Sequence, residues 1–153
     1  MDLEKRLKTR GYRMTPQRRS IYEVLEENEG YPLCPEDIHF LGRDKLPELG
    51  LTTVYRTMEL FTELGIALPV HMHEESQYYE VNSGGHHHHM VCISCGSVEI
   101  IEACLIGELK ELIRDDSDFL VTSHCMSLFG YCKHCQRERE NRDKAEPLER
   151  ASS

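Results

Sequence analysis

Two C-x-x-C pairs, Cys92-Ile93-Ser94-Cys95 and Cys132-Lys133-His134-Cys135, constrain this chain most, because they face each other across 36 intervening residues. Zinc takes four soft ligands at tetrahedral corners, and two residues between cysteines let a single turn supply two of them. The gap is longer than in a zinc ribbon, so the metal must staple two segments that are distant in sequence and so hold a subdomain together. One such pair alone would also fit a redox dithiol or chance. Two pairs point to a structural Zn(2+) site.

At 153 residues the chain has room for one medium domain or two small ones. A C-terminal piece of about 60 residues is near the size at which a metal or a partner subunit is needed for stability. The N-terminus, Met1-Asp2-Leu3-Glu4-Lys5-Arg6, is charged and no long apolar run follows, so neither a signal peptide nor a membrane span is expected and the expected location is cytoplasmic. Seven cysteines in a reducing cytosol imply thiols held by metal rather than disulfides. The net charge of −9 argues, taken alone, against a nucleic-acid partner. Its distribution argues otherwise: residues 1–60 hold 10 basic and 11 acidic groups, and the excess of acid falls after them. Within the first 19 residues Lys5, Arg6, Lys8, Arg10, Arg13, Arg18 and Arg19 face only Asp2 and Glu4. The same stretch also fits a solvated helix surface.

Thr15-Pro16 marks a helix start, with Thr15 suited to the N-cap and Pro16 to the first helical position. Ile21, Val24 and Leu25 give a buried face at 3/4 spacing, and Asn28 to Gly30 ends it. Pro35-Glu36-Asp37 opens a second helix, with Ile38 and Leu41 inward, and a third runs from Thr52 or Thr53 to Gly65. In that third helix Leu51, Val54, Met58, Phe61 and Leu64 form the apolar stripe, leaving Thr53, Tyr55, Arg56 and Glu59 outside or near the edge. Residues 66–70 and 77–81 then read as two short strands about a polar turn, so that three helices and a hairpin make a winged helix-turn-helix. Asn82-Ser83-Gly84-Gly85 reads as a hinge. Beyond it, 90–93, 98–101 and 119–129 read as strands, with a helix around 105–113. The expected class is α+β: a winged-helix domain over 1–82, a metal-binding α/β domain with the four-cysteine zinc site over 83–136, to which the resemblance given below adds dimerisation, and a charged, disordered tail over 137–153.

His86-His87-His88-His89 lies between the hinge and the first C-x-x-C, at the start of a strand. Alternation sends His87 and His89 to one face and His86 and His88 to the other, so one tetrad can feed two separate metal sites. The alternative, an expression tag, fits poorly with a run this short and internal. His124 on a later strand and Glu80 at the end of the wing are available to complete nitrogen/oxygen shells, which suit Zn, Fe, Mn or Ni without picking one.

Four segments occur together and in order: Gly11-Tyr12-Arg13-Met14-Thr15-Pro16-Gln17-Arg18, Gly50-Leu51-Thr52-Thr53-Val54-Tyr55-Arg56-Thr57, His86 through Gly96, and Gly130-Tyr131-Cys132-Lys133-His134-Cys135. They resemble the ferric uptake regulator (Fur) family over residues 1 to about 136. The resemblance implies a homodimeric, metal-responsive transcriptional repressor that binds a pseudo-palindromic double-stranded DNA operator and controls metal homeostasis, iron first among the metals. It further implies Cys92, Cys95, Cys132 and Cys135 as ligands of structural Zn(2+), Glu80, His87 and His89 as a sensory site for Fe(2+), Zn(2+), Mn(2+) or Ni(2+), and His86, His88 and His124 as an additional site. Tyr55 and Arg56 match the DNA-facing part of the recognition helix, with Thr53 beside them, and Arg13 and Arg18 match basic positions near the DNA backbone.

The chain also departs from the family pattern. Pro32 stands where many members have a histidine, Ile100 where a second acidic sensory ligand would fall, with Glu99 and Glu102 only nearby, and Gly107 where an acidic ligand of the additional site would fall, with Glu108 beside it. Cys34, His71, His73, Cys104 and Cys125 are available to fill such vacancies, but each taken separately reads as a packing or surface residue. Two other functions compete with a DNA-binding sensor. A zinc enzyme would need an open coordination position and a general base, and neither H-E-x-x-H nor H-x-E followed by P-C-x-x-C occurs. A thiol oxidoreductase would place one C-x-x-C at a helix N-terminus after a strand, which two paired motifs in strand-turn contexts do not match.

Overall fold

The computed structural model describes residues 3–72, 76–104, 106–122 and 124–145, and the chain divides into two compact units, Met1–His86 and His87–Ser153. The first unit begins with a helix that the charge pattern hides. In α1 (Leu3–Thr9) the buried pair Leu3 and Leu7, four residues apart, lies among the basic groups of the N-terminal stretch. Its Arg6 reaches the far end of α4 (Leu51–Glu63), where the guanidinium Nη2 donates to the carbonyls of Leu64 at 2.9 Å and Gly65 at 2.8 Å. Those carbonyls are the acceptors a helix C-terminus leaves without intrahelical partners, and a cation suits the negative end of its dipole.

Helix α2 (Pro16–Glu27) starts as the sequence requires: the Thr15 hydroxyl accepts the Arg18 backbone N–H at 3.3 Å, and Pro16 occupies the first turn. Ser20, Ile21, Val24 and Leu25 form its buried face. Helix α3 (Pro35–Lys45) crosses α2 closely at Gly42, whose carbonyl accepts from the Ser20 hydroxyl at 3.1 Å; a Cβ there would stand 2.6 Å from Leu49 Cδ2 in the core. Helix α4 buries Val54, Met58 and Phe61 of the expected stripe together with Thr57 and Leu60, while Leu51 and Leu64 at its two ends are only partly buried. Gly65 at φ 63° turns the chain into a hairpin of β1 (Ala67–Val70) and β2 (Tyr78–Val81), paired antiparallel from Ala67 opposite Val81 to Val70 opposite Tyr78. Leu33 bridges to Tyr79 on the other side of β2, which ties the α2–α3 connection to the hairpin. One apolar cluster joins these elements, with Leu7, Ile21, Ile38, Val54, Met58 and Phe61 fully enclosed. This is a winged helix-turn-helix.

The second unit is an α/β layer built on β3 (His88–Cys92). Strand β4 (Val98–Ile101) pairs with it antiparallel and β5 (Ser127–Gly130) pairs with it parallel, in the order β4-β3-β5. Helix α5 (Ile106–Asp116) supplies the crossover that a parallel neighbour requires. The expected strand over 119–129 is shorter than the apolar pattern suggests. Phe119 and Leu120 are exposed and irregular, because β3 is only five residues long and offers β5 a register of four, from Ser127 to Gly130. The tail differs too. Where the composition predicts disorder from 137 onward, α6 (Lys133–Ala145) is helical, and residues 146–153 lie outside the described residues.

Among the described side chains of α6 only Cys135 is buried, so apolar burial does not explain the helix. Its first turn is anchored on Tyr131: the Gln136 amide donates to the Tyr131 carbonyl at 2.5 Å, and the Arg139 guanidinium lies 4.2 Å over the Tyr131 ring while donating to its hydroxyl at 2.7 Å. His134 and Glu138 add an i,i+4 pair at 3.6 Å.

The Arg6 anchor has a measurable consequence. Hydrogen bonds from a charged donor contribute about 1.5–3 kcal/mol, so Arg6→Ala should lower the unfolding free energy of the first unit by about that amount. Urea unfolding followed by helical circular dichroism measures it, and an unchanged midpoint would mean that α1 does not brace α4.

Candidate functional site

The register of the second sheet decides which side chains meet. At the C-terminal end of β3, Cys92 lies opposite Gly130 of β5, and the connection to β4 turns sharply, with Gly96 at φ 73° and Gly96 N–H donating to the Cys92 carbonyl at 2.9 Å. That turn presents Cys95. The chain leaving β5 presents Cys132, and the first turn of α6 presents Cys135. The four sulfur atoms lie within 4.8 Å of one another, with Cys95 and Cys132 at 3.8 Å. A tetrahedron with Zn–S bonds of about 2.3 Å has corners about 3.8 Å apart. Four thiols at this spacing fit zinc.

Their acidities point the same way. Backbone hydrogen bonds from Cys132 and Cys95 hold the Cys92 thiol down to about 6, and a backbone hydrogen bond from Cys135 lowers Cys132. Against a hydrogen bond from Ser94 that pulls it down, burial and the neighbouring thiols push Cys135 up to about 12. Four sulfurs this close cannot all ionise without a cation between them, so metal uptake must release protons.

The opposite end of β3 gathers nitrogen ligands. His88 is 2 % exposed and lies opposite Ile101, the last residue of β4; His89 is also buried and lies opposite Ser127, the first residue of β5. The chain leaving β4 and the chain entering β5 therefore both pass the start of β3. They bring Cys104 and His124 to His88: the ligand atoms of these three lie within 4.8 Å of one another, with Cys104 Sγ 3.4 Å from His124 Nε2 and the His88 and His124 rings 5.3 Å apart. On the other strand face the His87 and His89 rings meet edge to face at 5.0 Å. His86 is the last residue of the first unit, and Glu80 lies buried on β2 of that unit.

In the first unit the outer face of α4 holds the residues singled out for DNA. Tyr55 is 41 % exposed, Arg56 is exposed and Thr53 is partly exposed. The Tyr55 hydroxyl donates to Glu36 Oε1 at 2.5 Å, which lowers the Glu36 carboxyl and raises the Tyr55 phenol. Arg13 is exposed. Arg18 is engaged within the chain: its guanidinium donates to the Arg13 carbonyl at 2.5 Å and lies 5.5 Å over the Tyr12 ring, so it orients the segment that presents Arg13.

Of the residues left over by sequence reasoning, Cys34 caps α3. Its backbone N–H and thiol face the Asp37 carboxylate at 3.4 and 3.0 Å, and burial, followed by the hydrogen bond to Asp37, pushes the thiol up to about 11. His71 and Cys125 are exposed and join no metal-ligating group among the described residues, and His73 lies outside them. Pro32 is buried, while Ile100 and Gly107 are exposed. Cys104 is the residue the sequence undervalued. Only the register, which puts it three residues past the partner of His88, could have revealed its place.

A family model described as the ferric uptake regulator family matches residues 9–129. The chain belongs to the ferric uptake regulator family. It is 38 % identical over 136 residues to a ferric uptake regulation protein of Bacillus subtilis, covering 87 % of this chain and 91 % of that one. It is 30 % identical over 132 residues to a peroxide-responsive repressor of Staphylococcus epidermidis, covering 86 % and 87 %. Among solved structures, the Helicobacter pylori ferric uptake regulator, described as having three functional metal-binding sites, superposes with a TM-score of 0.75 at 25 % identity over 88 % of this chain and 89 % of that one. A winged helix followed by an α/β domain with a four-cysteine cluster is the fold of this Fur family member. Among the described residues no helix is long and apolar enough to cross a membrane.

Proposed function

We propose that this Fur family member is a metal-dependent, DNA-binding transcriptional repressor that acts as a homodimer in the cytoplasm and controls metal homeostasis, with iron as the leading metal. The observation that carries the reading is α4: one face lies in the core and the other offers Tyr55 and Arg56 to solvent, the arrangement by which a helix-turn-helix enters a major groove. The names of the relatives, ferric uptake regulation protein and peroxide-responsive repressor, agree with it.

In this reading Cys92, Cys95, Cys132 and Cys135 hold structural Zn(2+), and a complete tetrathiolate leaves no open position of the kind a zinc enzyme uses. Glu80, His87 and His89 would hold the regulatory cation, Fe(2+), Zn(2+), Mn(2+) or Ni(2+), which when bound supplies a cross-link between wing and dimerisation domain. His86, His88 and His124 belong to the additional site. Gly84, at φ 83°, gives the hinge its freedom, and ordering that hinge is charged against DNA binding unless the ligands of both domains are held together. The half-exposed Ile100 and Phe129, which the pairing of β3 with β4 and β5 places on one face of the second sheet, offer apolar surface to a second copy of the chain, and a two-fold dimer presents two recognition helices to a pseudo-palindromic operator.

DNA binding titrated with each divalent metal tests the proposal. The double variant His87→Ala/His89→Ala should remain dimeric and lose the metal response; an unchanged titration would move the sensor to the opposite face of the strand.

Arg13→Ala should weaken binding about equally on all sequences and reduce the salt slope by about one. Tyr55→Ala should instead cost about 1–3 kcal/mol, concentrated on the preferred site. Undiminished affinity for every DNA in both variants at saturating metal would show that the winged helix is not the DNA reader.

A further inference from the structure

We infer that Cys104 is a thiolate ligand of the additional metal site, which makes that site a mixed nitrogen/sulfur centre selective for zinc over Fe(2+) and Mn(2+). The inference rests on the reading that His88 and His124 bind metal, and it adds a ligand that neither the motifs nor the comparisons assign. Three observations carry it. First, Cys104 Sγ stands 3.4 Å from His124 Nε2; bonds of about 2.3 Å to sulfur and about 2.0 Å to nitrogen at the tetrahedral angle put their outer atoms about 3.5 Å apart. Second, the Cys104 sulfur lies within 4.8 Å of the His88 ligand atom as well, and His88 is enclosed, so the three groups converge from three separate segments.

Third, Gly107 stands at the position where the resemblance places an acidic ligand, with Glu108 beside it. The sheet explains why a residue three places earlier can serve. Strand β4 ends at Ile101 opposite His88, and the chain has not yet entered α5 at Ile106 when it passes the start of β3 as Cys104. His86, two residues before His88 and on the same strand face by alternation, is the fourth candidate ligand. Replacing a hard carboxylate by a soft thiolate shifts preference from manganese and iron toward zinc, because soft donors favour zinc while carboxylate oxygens favour the harder ions.

Cobalt(II) is the probe. The purified full-length protein is first saturated with one zinc per chain to fill the tetrathiolate, and Co(II) is then titrated while retained zinc is measured by mass spectrometry. Sulfur-to-cobalt charge-transfer absorption in the near ultraviolet should appear with zinc retained. It should persist in His87→Ala/His89→Ala and vanish in Cys104→Ala. Zn(2+) affinity at the same site should fall by more than ~100-fold in Cys104→Ala, beyond the ~10–100-fold loss that follows removal of a partner outside the coordination shell, while Mn(2+) affinity changes little. Absence of the band in the unaltered protein, or its persistence in Cys104→Ala with zinc retained, would overturn the inference. His88→Ala made in the His87→Ala/His89→Ala background, where the sensory site cannot take up cobalt, separates the two levels of the argument: if it leaves cobalt uptake intact, the additional site itself is misassigned, whereas loss of uptake in that variant with no effect of Cys104→Ala rejects only the thiolate.

Discussion

The pairing of β3 on both edges is the constraint on which the C-terminal unit depends. An antiparallel neighbour on one side and a parallel neighbour on the other make β4 end, and β5 begin, beside the first residues of β3. The same geometry puts the β3–β4 turn and the exit from β5 together at its last residue. A strand of five residues spans only about 13–17 Å, and each end gathers side chains that could hold a metal ion: nitrogen with one sulfur at the start, four sulfurs at the finish. A slip of one residue in either pairing would reverse the faces of the histidines and separate the thiol pairs.

The two units stand on different physics. The apolar core cluster, from Leu3 to Val81, belongs wholly to the first unit, where four helices and a hairpin enclose it. In the second unit the buried residues among those described are Val91, Cys92, Cys135, His88 and His89, a set made largely of ligands. Structural zinc is worth roughly 10–16 kcal/mol in small peptides, as much as the whole stability of an ordinary domain at about 5–15 kcal/mol. On the proposed zinc reading, metal would do for this unit what hydrophobic burial does for the first. In the same reading a stable site at one end of β3 would leave the histidine end free to exchange its cation without loss of the fold, which a metal sensor requires.

The sequence made the first unit legible because its signals are local. Thr15-Pro16, Pro35-Glu36-Asp37 and the stripe of α4 each state a helix within a few residues, and the C-x-x-C pairs state the zinc site. What stayed hidden depended on distant partners. Helix α1 is fixed by Arg6 meeting carbonyls 58 and 59 residues away, and α6 by Tyr131 and a buried Cys135 rather than by any apolar stripe. Residues 119–122 look like a strand, yet strand length is set by β3. Cys104 looks like a solitary thiol until the register of β4 is known.

Amide hydrogen exchange before and after zinc removal tests the central claim most directly, with a strong chelator applied under reducing conditions and zinc loss verified by elemental analysis. Protection of the β3, β4 and β5 amides should disappear as one unit, while α2, α3 and α4 keep theirs. Zinc-free protein with β3 still fully protected would contradict the account, because the second sheet would then stand without the tetrathiolate.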